Sequence, residues 1–242
     1  MTFLDGAALT ALGRAHRESF ATAAPYPHVV VDGLLGDARS AEVAAAFPAP
    51  DHPGWKRRDY PEQTARLGQL ARTGFADVAP ALRWLLAELT GMAFLDFLGA
   101  LTGRRDLIAD PHFTGAGPIA TLPGGHLGVH TDFNRDSTRH LDRVLSALYY
   151  VPRTWNEAWG GELELWDRAH TRCEVRIAPV RDRLVVMAYG DDHWHGHPTP
   201  LACPDGHWRA VVTAHYFAAR ASPTDEAGAH GAIWANAHGD AG

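Results

Sequence analysis

Apolar residues in the first hundred positions recur mostly at helical spacing. The stretch 78–89 places leucines three and four residues apart, which puts them on one face of a helix. Residues 92–101 continue this spacing after Gly91, and Thr90 is a candidate N-cap there. The other elements predicted in this half are helices over 1–24 and 37–47, a strand over 28–31 and an irregular polar loop over 51–74.

From residue 110 the pattern changes to short apolar runs separated by turn residues. Runs rich in Val, Leu, Tyr and Phe and bounded by Gly, Pro or Asp are typical of strands. The predicted strands are residues 118–122, 129–133, 144–151, 162–166, 173–177, 183–188, 192–197 and 208–217. This spacing favours a barrel or a sandwich of two sheets, with the helices packed on one outer face. The Ala-, Gly- and His-rich segment after 218 is expected to fray or to cover the surface.

Length and composition favour a single domain. The chain has 242 residues and 46% hydrophobic residues, enough for one large core, and no internal repeat or linker divides it. We expect a helical N-terminal support region over 1–109, a β core over 110–220 and a C-terminal tail over 221–242.

Charge and cysteine content exclude several classes. A net charge of −6 argues against an electrostatic nucleic-acid binder. The two cysteines, Cys173 and Cys203, cannot build a disulfide framework or a four-cysteine zinc site. Neither a signal peptide nor a membrane span is evident in the sequence, so we expect a cytoplasmic protein. The oligomeric state stays open.

Three side chains form a candidate metal site. His130 and Asp132 are two residues apart on a predicted strand, so both side chains project from one face. His195 lies far downstream, which leaves room for several strands in between. Two histidines and one carboxylate make a facial ligand set that leaves the remaining octahedral positions of Fe(II) open. Arg209, at the start of an apolar strand, can pair bidentately with a carboxylate.

These residues belong to a longer series of motifs. It comprises His130-Thr-Asp132-Phe-Asn134, the strand 145–151, Trp155 with Gly160-Gly161-Glu162-Leu163, His195-Gly196-His197-Pro198, and Arg209 leading into His215-Tyr216-Phe217. In this order the region from about 110 to 220 resembles the 2-oxoglutarate/Fe(II)-dependent dioxygenases, in particular the prolyl-hydroxylase-like branch. The resemblance covers a little under half of the chain, and the N-terminal part matches only loosely.

The resemblance implies a fold, a set of cofactors and a set of roles. The implied fold is mainly β with flanking helices: a double-stranded β-helix (jelly-roll) core with N-terminal helices packed on one sheet. The implied cofactors are Fe(II), the co-substrate 2-oxoglutarate and O2. The implied metal ligands and catalytic residues are His130, Asp132 and His195. The implied 2-oxoglutarate contacts are Arg209, Tyr150, Thr213, Leu148 and Leu163. Tyr150 is favoured over Tyr149 because neighbouring residues of a strand point to opposite faces.

Two assignments keep alternatives at this point. His193, His195 and His197 alternate and share one face, so His193 or His197 could be the third ligand instead. We favour His195 because Gly196 and Pro198 follow it, as in the family's pattern, so that His193 would lie deeper and His197 would already leave the sheet. Zinc is the main competing metal, but the sequence singles out no general-base carboxylate for a zinc hydrolase.

The expected activity is hydroxylation of an unactivated C–H bond of a small molecule, such as an amino acid or a natural-product intermediate, with release of succinate and CO2. An acidic chain without an accessory peptide-binding domain favours a small substrate. Candidate substrate contacts are His126, Asn134, Trp155, Trp194 and His215. The alternatives are a peptidyl-prolyl hydroxylase and a catalytically silent β-barrel that serves as a binding or sensor module. The motifs identify neither the substrate nor its oxidised position.

Overall fold

The computed structural model describes residues 4–68, 78–136, 138–220 and 228–235. Its helices are α1 (Gly6–Thr22), α2 (Asp37–Ala46), α3 (Pro80–Thr90) and α4 (Met92–Thr102), with a 3-10 turn at Glu157–Trp159. Its strands are β1 (His28–Asp32), β2 (Lys56–Tyr60), β3 (Gln63–Gly68), β4 (Ile108–Ala109), β5 (Gly117–Thr131), β6 (Arg135–Asp136), β7 (Leu141–Tyr150), β8 (Leu163–Trp166), β9 (Cys173–Ile177), β10 (Arg183–Ala188), β11 (His195–His197), β12 (Arg209–Ala219) and β13 (Ile233–Trp234).

The helices follow the predicted positions closely. Helix α1 begins after Asp5, whose carboxylate accepts the backbone N–H groups of Ala7 and Ala8 at 2.9 and 3.2 Å. Helix α3 buries its four leucines, as their spacing predicts. Thr90 is not the N-cap of α4: Gly91 occupies that position, and the Thr90 hydroxyl instead donates to the Leu86 carbonyl within α3 at 3.0 Å.

The predicted loop over 51–74 is confirmed for residues 51–55 but wrong over the two strands that follow. Strands β2 and β3 form an antiparallel hairpin, and β3 pairs with β5 from Gln63 opposite Leu127 to Gly68 opposite Ile119. The charged residues of β2 show no apolar alternation, so the sequence pattern does not reveal this strand, which forms by pairing with β3. Residues 69–74 of the predicted loop lie outside the described ranges.

The β core is a curled antiparallel sheet. Its main path runs β1-β10-β7-β12-β5-β11-β8-β9. The two strands predicted at 118–122 and 129–133 are one strand, β5, so that prediction is wrong. The first part of β5 pairs with β12, and its end pairs with β11 and β13. The glycines and the proline between the two predicted strands therefore mark a bend in one long strand.

Two buried clusters lie on opposite sides of this sheet. The outer cluster joins Tyr149 and Tyr216 to the leucines of α3 and the phenylalanines of α4. The Tyr216 hydroxyl donates to the Leu89 carbonyl at 2.6 Å, which ties the sheet to the helices. The inner cluster contains Tyr150, Leu148 and Leu163. The helices therefore pack on one outer face, as predicted.

Of the described helices, none is by itself long and apolar enough to cross a membrane. Only α3 and α4 taken together, with a bend of 45° between them, meet that length and composition.

Candidate active site

The three predicted ligands converge at one end of the curled sheet. His130 ends the pairing of β5 with β11, where it lies opposite His195, and Asp132 follows directly after β5. The Asp132 carboxylate lies 3.5 Å from His130 Nε2 and 3.4 Å from His195 Nε2. All three ligand atoms fall within 4.8 Å of one another, and no other His, Cys, Asp or Glu group of three among the described residues does so.

The ring orientations of the two histidines fit a metal ion. His130 Nδ1 donates to the Gly128 carbonyl at 2.9 Å, and His195 Nδ1 donates to the His193 carbonyl at 3.0 Å. Each Nδ1 therefore carries the proton, and the Nε2 lone pairs face Asp132, the arrangement that metal-bound histidines normally adopt. Ligands about 2.0–2.2 Å from a metal lie roughly 3 Å apart in neighbouring octahedral positions. The distances between these side chains are close to that value.

A buried arginine holds Asp132 from behind. Arg143 Nη2 lies 2.6 Å from Asp132 Oδ2, 2.8 Å from Ser146 Oγ and 2.8 Å from His215 Nδ1. Burial alone would raise the pKa of Asp132, but Arg143 and the two histidines hold it well below its usual value. Asp132 is therefore ionised and fixed in orientation. The role of Arg143 is not evident from the strand pattern.

His215 lies behind this pair rather than beside the ligands. Burial and the neighbouring Arg143 lower the pKa of His215 to about 3, so its ring is neutral at physiological pH. Since Arg143 donates to Nδ1, the proton is on Nε2, which points to the Gly115 carbonyl at 3.4 Å. The structure thus places this predicted residue as a support for Arg143.

Arg209 forms a second polar centre inside the barrel. Its Nε donates to the Gly161 carbonyl at 2.7 Å, and Nη2 donates to the Tyr150 hydroxyl at 2.9 Å. Leu148 and Leu163 belong to the same inner cluster as Tyr150. The Thr213 hydroxyl donates to the Gly117 carbonyl at 3.3 Å. The structure therefore brings all five predicted co-substrate residues to the inner side of the sheet.

A small cavity adjoins His130 and Asp132. Its volume is about 170 Å³, and the side chains around it include Arg58, Gln63 and Arg66 of the hairpin and Trp234 of β13. The Trp234 ring packs 4.9 Å from that of His130. Sequence reasoning missed these contacts, because it treated the hairpin as a loop and the C-terminal segment as a tail. The charged and aromatic residues of both segments were the only available signal.

Four predicted substrate residues lie away from this cavity. His126 bonds the hairpin through Thr64 Oγ1 at 2.9 Å and the Pro61 carbonyl at 3.2 Å. Asn134 binds the C-terminal segment, donating to the Gly228 carbonyl at 2.7 Å. Trp194 Nε1 donates to Arg168 O at 3.1 Å, and Trp155 Nε1 to Gly160 O at 3.1 Å. Each polar group is thus engaged by backbone or structural partners.

The other two histidines of the motif have different surroundings from His195. His193 belongs to a turn, not to the strand predicted over 192–197, and its ring stacks on Tyr26 at 4.2 Å. His197 was expected to leave the sheet, and that prediction is wrong: it is buried in β11 opposite Leu127. Because β11 is held between β5 and β8, pairing continues up to Pro198. Burial and the nearby Arg209 lower the pKa of His197 well below its usual value.

Comparisons with known proteins agree with this geometry. Residues 118–217 match the family model described as "2OG-Fe(II) oxygenase superfamily". No curated protein matches the chain. A prolyl hydroxylase from Trichoplax adhaerens, solved with a peptide of the hypoxia inducible factor oxygen degradation domain, is similar at 18% identity and a TM-score of 0.61, over 88% of this chain and 91% of that one. A Pseudomonas putida prolyl-4-hydroxylase is similar at 21% identity and a TM-score of 0.58, over 86% and 99%.

Proposed function

We propose that this chain, a member of the 2OG-Fe(II) oxygenase superfamily by its residues 118–217, hydroxylates an unactivated C–H bond of a small molecule. Its fold is the double-stranded β-helix, and its cofactors are Fe(II), 2-oxoglutarate and O2. When bound, iron and 2-oxoglutarate supply the oxidising chemistry, with succinate and CO2 as co-products. The chain's residues position these reactants and keep water away from them.

The ligand triad is the observation that carries the proposal. We assign His130, Asp132 and His195 to Fe(II), because both Nε2 lone pairs face an ionised carboxylate within 3.5 Å. Arg143 holds Asp132 through Oδ2, the oxygen that also lies 3.4 Å from His195 Nε2, while Oδ1 lies 3.5 Å from His130 Nε2. A facial set of this kind leaves neighbouring positions open for the co-substrate and dioxygen.

Arg209 is the assigned anchor for the far carboxylate of 2-oxoglutarate. It is buried, fixed by Gly161 and Tyr150, and forms no salt bridge among the described residues. A buried guanidinium binds a carboxylate bidentately, and burial strengthens the interaction. Leu148 and Leu163 supply the apolar wall beside it.

The dimensions of the cavity support a small substrate. Its volume of about 170 Å³ lies below the roughly 300–1,000 Å³ of typical ligand pockets. The C-terminal segment, bonded to Asn134 and carrying Trp234, lies along one side of it. Peptidyl-proline hydroxylation is the second candidate, because two of the similar structures are prolyl hydroxylases and one was solved with a peptide.

Succinate formation tests the proposal. Anaerobically reconstituted protein is exposed to oxygen with a panel of small molecules or with proline-containing peptides, and succinate and oxidised product are quantified. The proposal expects product in proportion to succinate with a small molecule, and none with His130→Ala. Product from peptides alone would establish the second candidate. Absence of stoichiometric succinate with every substrate would instead support a silent binding module.

A further inference from the structure

Two arginines of the β2–β3 hairpin face the same cavity. Arg58 and Arg66 are direct partners in the hairpin register, and both line the space beside His130 and Asp132. Side chains of directly opposed strand residues project from one face, with Cβ atoms about 4.5–5.5 Å apart. The hairpin therefore presents two guanidinium groups side by side to one small space.

Arg66 also lies across strand β5 from Arg209, the assigned 2-oxoglutarate anchor. Strand pairing places Arg66 on one side of Thr121 and Arg209 on the other. With strands about 4.8 Å apart, the two arginine backbones are separated by roughly 10 Å on one face of the sheet. Burial, together with Arg209 and Arg58, lowers the pKa of Arg66 to about 10, so it stays protonated at neutral pH. Two cationic centres thus lie at neighbouring points of the same interior.

Neither Arg58 nor Arg66 forms a salt bridge in the described part of the chain. Arg66 Nη1 donates only to the neutral amide oxygen of Gln63, at 3.1 Å. Among the described residues that line the cavity, the sole carboxylate is that of Asp132, which Arg143 already holds. A partly buried cation without a counter-charge is unfavourable, and a bound anion relieves that cost.

We propose that the substrate carries an anionic group, a carboxylate or a phosphate, that Arg58 and Arg66 bind beside the metal-ligand triad. This rests on the proposed function, in which 2-oxoglutarate occupies Arg209 and leaves the hairpin pair for a second anion. Planar guanidinium groups form paired hydrogen bonds with carboxylate and phosphate oxygens. The anionic group fixes the substrate at the hairpin, and the rest of the molecule extends toward His130 and Asp132.

Calorimetric titration of the loaded protein tests this inference. The protein carries Mn(II), which does not support turnover, and saturating 2-oxoglutarate, so that Arg209 is occupied. The probes are small carboxylic acids, amino acids and phosphate monoesters, each paired with its neutral amide or parent alcohol. We expect the acids or the phosphates to bind, and their neutral counterparts to bind about tenfold more weakly or worse. The two anion classes in the panel distinguish carboxylate from phosphate recognition.

Variants of the hairpin make the test specific. Arg58→Gln and Arg66→Gln should each weaken binding of the anionic probe by about tenfold or more, with the 2-oxoglutarate affinity unchanged. Arg57→Gln is the matched control, because Arg57 is exposed, belongs to the same strand and pairs with Leu67 on the opposite face. It should bind the probe as the parent protein does.

Three results would overturn the inference: equal binding of neutral and anionic probes, no binding by any anion of the panel, or variants that weaken 2-oxoglutarate binding instead. If the parent protein binds neither Mn(II) nor 2-oxoglutarate, the proposed function fails together with this inference. If it binds both but no probe anion, only this inference fails.

Discussion

At the scale of single residues, the site depends on which ring nitrogen of each histidine carries its proton. His130 and His195 commit Nδ1 to backbone carbonyls and so direct Nε2 at Asp132. His197 is of the same residue type and is as deeply buried, but its Nδ1 has no hydrogen-bond partner within the described residues. Its Nε2 lies 3.5 Å from Thr121 Oγ1, on the Arg209 side of the barrel. Backbone carbonyls, more than residue type, therefore distinguish the ligand from its neighbour.

His195→Ala should abolish stoichiometric Fe(II) binding, whereas His197→Ala should retain it. Of these two histidines, only His195 belongs to the cluster with His130 and Asp132. Metal content after anaerobic dialysis against Fe(II) measures both variants. Iron retained by His195→Ala and lost from His197→Ala would reverse the assignment.

Arg143→Met should destabilise the metal-free protein by about 3 kcal/mol, the lower end for breaking a buried pair. The variant leaves the Asp132 carboxylate without its cation, and a bound metal then replaces that charge. Added Fe(II) should therefore raise the Tm of the variant more than that of the parent. Arg168→Gln, which breaks an exposed pair with Asp192, serves as control and should change stability by less than about 1 kcal/mol. Equal metal-induced shifts in Arg143→Met and the parent would contradict this account.

Arg209→Gln should raise the Kd for 2-oxoglutarate about 30-fold or more. Removing one partner of a buried charge pair costs about 2–5 kcal/mol, and the lower end of that range corresponds to this change in Kd. Arg209→Lys should recover little, because an ammonium cannot reproduce the planar fork. Fe(II) binding should stay intact in both. Two other arginines of the core strands form ion pairs elsewhere, Arg183 with Asp32 and Arg143 with Asp132. An unchanged Kd in both variants would show that another group holds the carboxylate.

At the scale of elements, the site forms where β5 passes from one set of partners to another. Its first part pairs with β12, which carries Arg209, and its end pairs with β11, which carries His195. One strand therefore fixes the distance between the anchor and the ligands. The turn before β8 completes this frame, since Gly161 has a φ of +76° and its carbonyl accepts from Arg209.

Gly161→Ala should weaken 2-oxoglutarate binding by about ten- to a hundredfold through displacement of Arg209. A Cβ at position 161 would lie 2.5 Å from Leu201 Cδ2 and 3.3 Å from Arg209 Cδ. Gly206→Ala is the matched control: its φ of +82° imposes the same backbone strain, but no atom lies within 4 Å of the added Cβ. Titration of both variants with 2-oxoglutarate separates strain from displacement. Equal losses in the two would contradict a specific effect on Arg209.

The sequence predicts helices and strands well where side-chain burial is periodic. It predicts them poorly where a strand forms only because it pairs with a neighbouring strand. Helix α3 and strand β9 carry clear periods and lie where predicted. The charged β2 has no such period, and it forms because β3 pairs with β5 beside it. The prediction of two strands in place of β5 was wrong for a related reason. Glycines suggest that a strand ends, but a long strand can bend at glycines where its pairing partners change.

At the scale of the whole molecule, the helices support one face of the sheet and leave the interior for chemistry. The outer aromatic and leucine cluster packs the helices on the sheet, and the inner cluster includes Tyr150, whose hydroxyl accepts from Arg209. The hairpin and the C-terminal segment contribute Arg66 and Trp234 from opposite ends of the chain. The reactive end of the barrel is therefore assembled from parts distant in sequence.

This assembly sets the limit of what the sequence could predict about the site. His130, Asp132 and Arg209 stand in short motifs with fixed strand phase, so their convergence follows from the family resemblance and local geometry. Arg143 and Arg66 belong to no such motif, and only strand register brings them to the ligands. His126 and Trp194, predicted as substrate contacts, form hydrogen bonds with Thr64 and with the Arg168 carbonyl, and their role toward a substrate stays a prediction.

Anaerobic titration of the protein with Fe(II) and then 2-oxoglutarate tests the central claim most directly. The account predicts a weak visible charge-transfer band that saturates at one equivalent of each, because the triad leaves adjacent positions free for a chelating co-substrate. His130→Ala and Asp132→Ala should show no band, whereas Arg209→Gln should show it only at much higher 2-oxoglutarate concentration. A parent protein without the band, or a band that persists in Asp132→Ala, would contradict the assignment of this site.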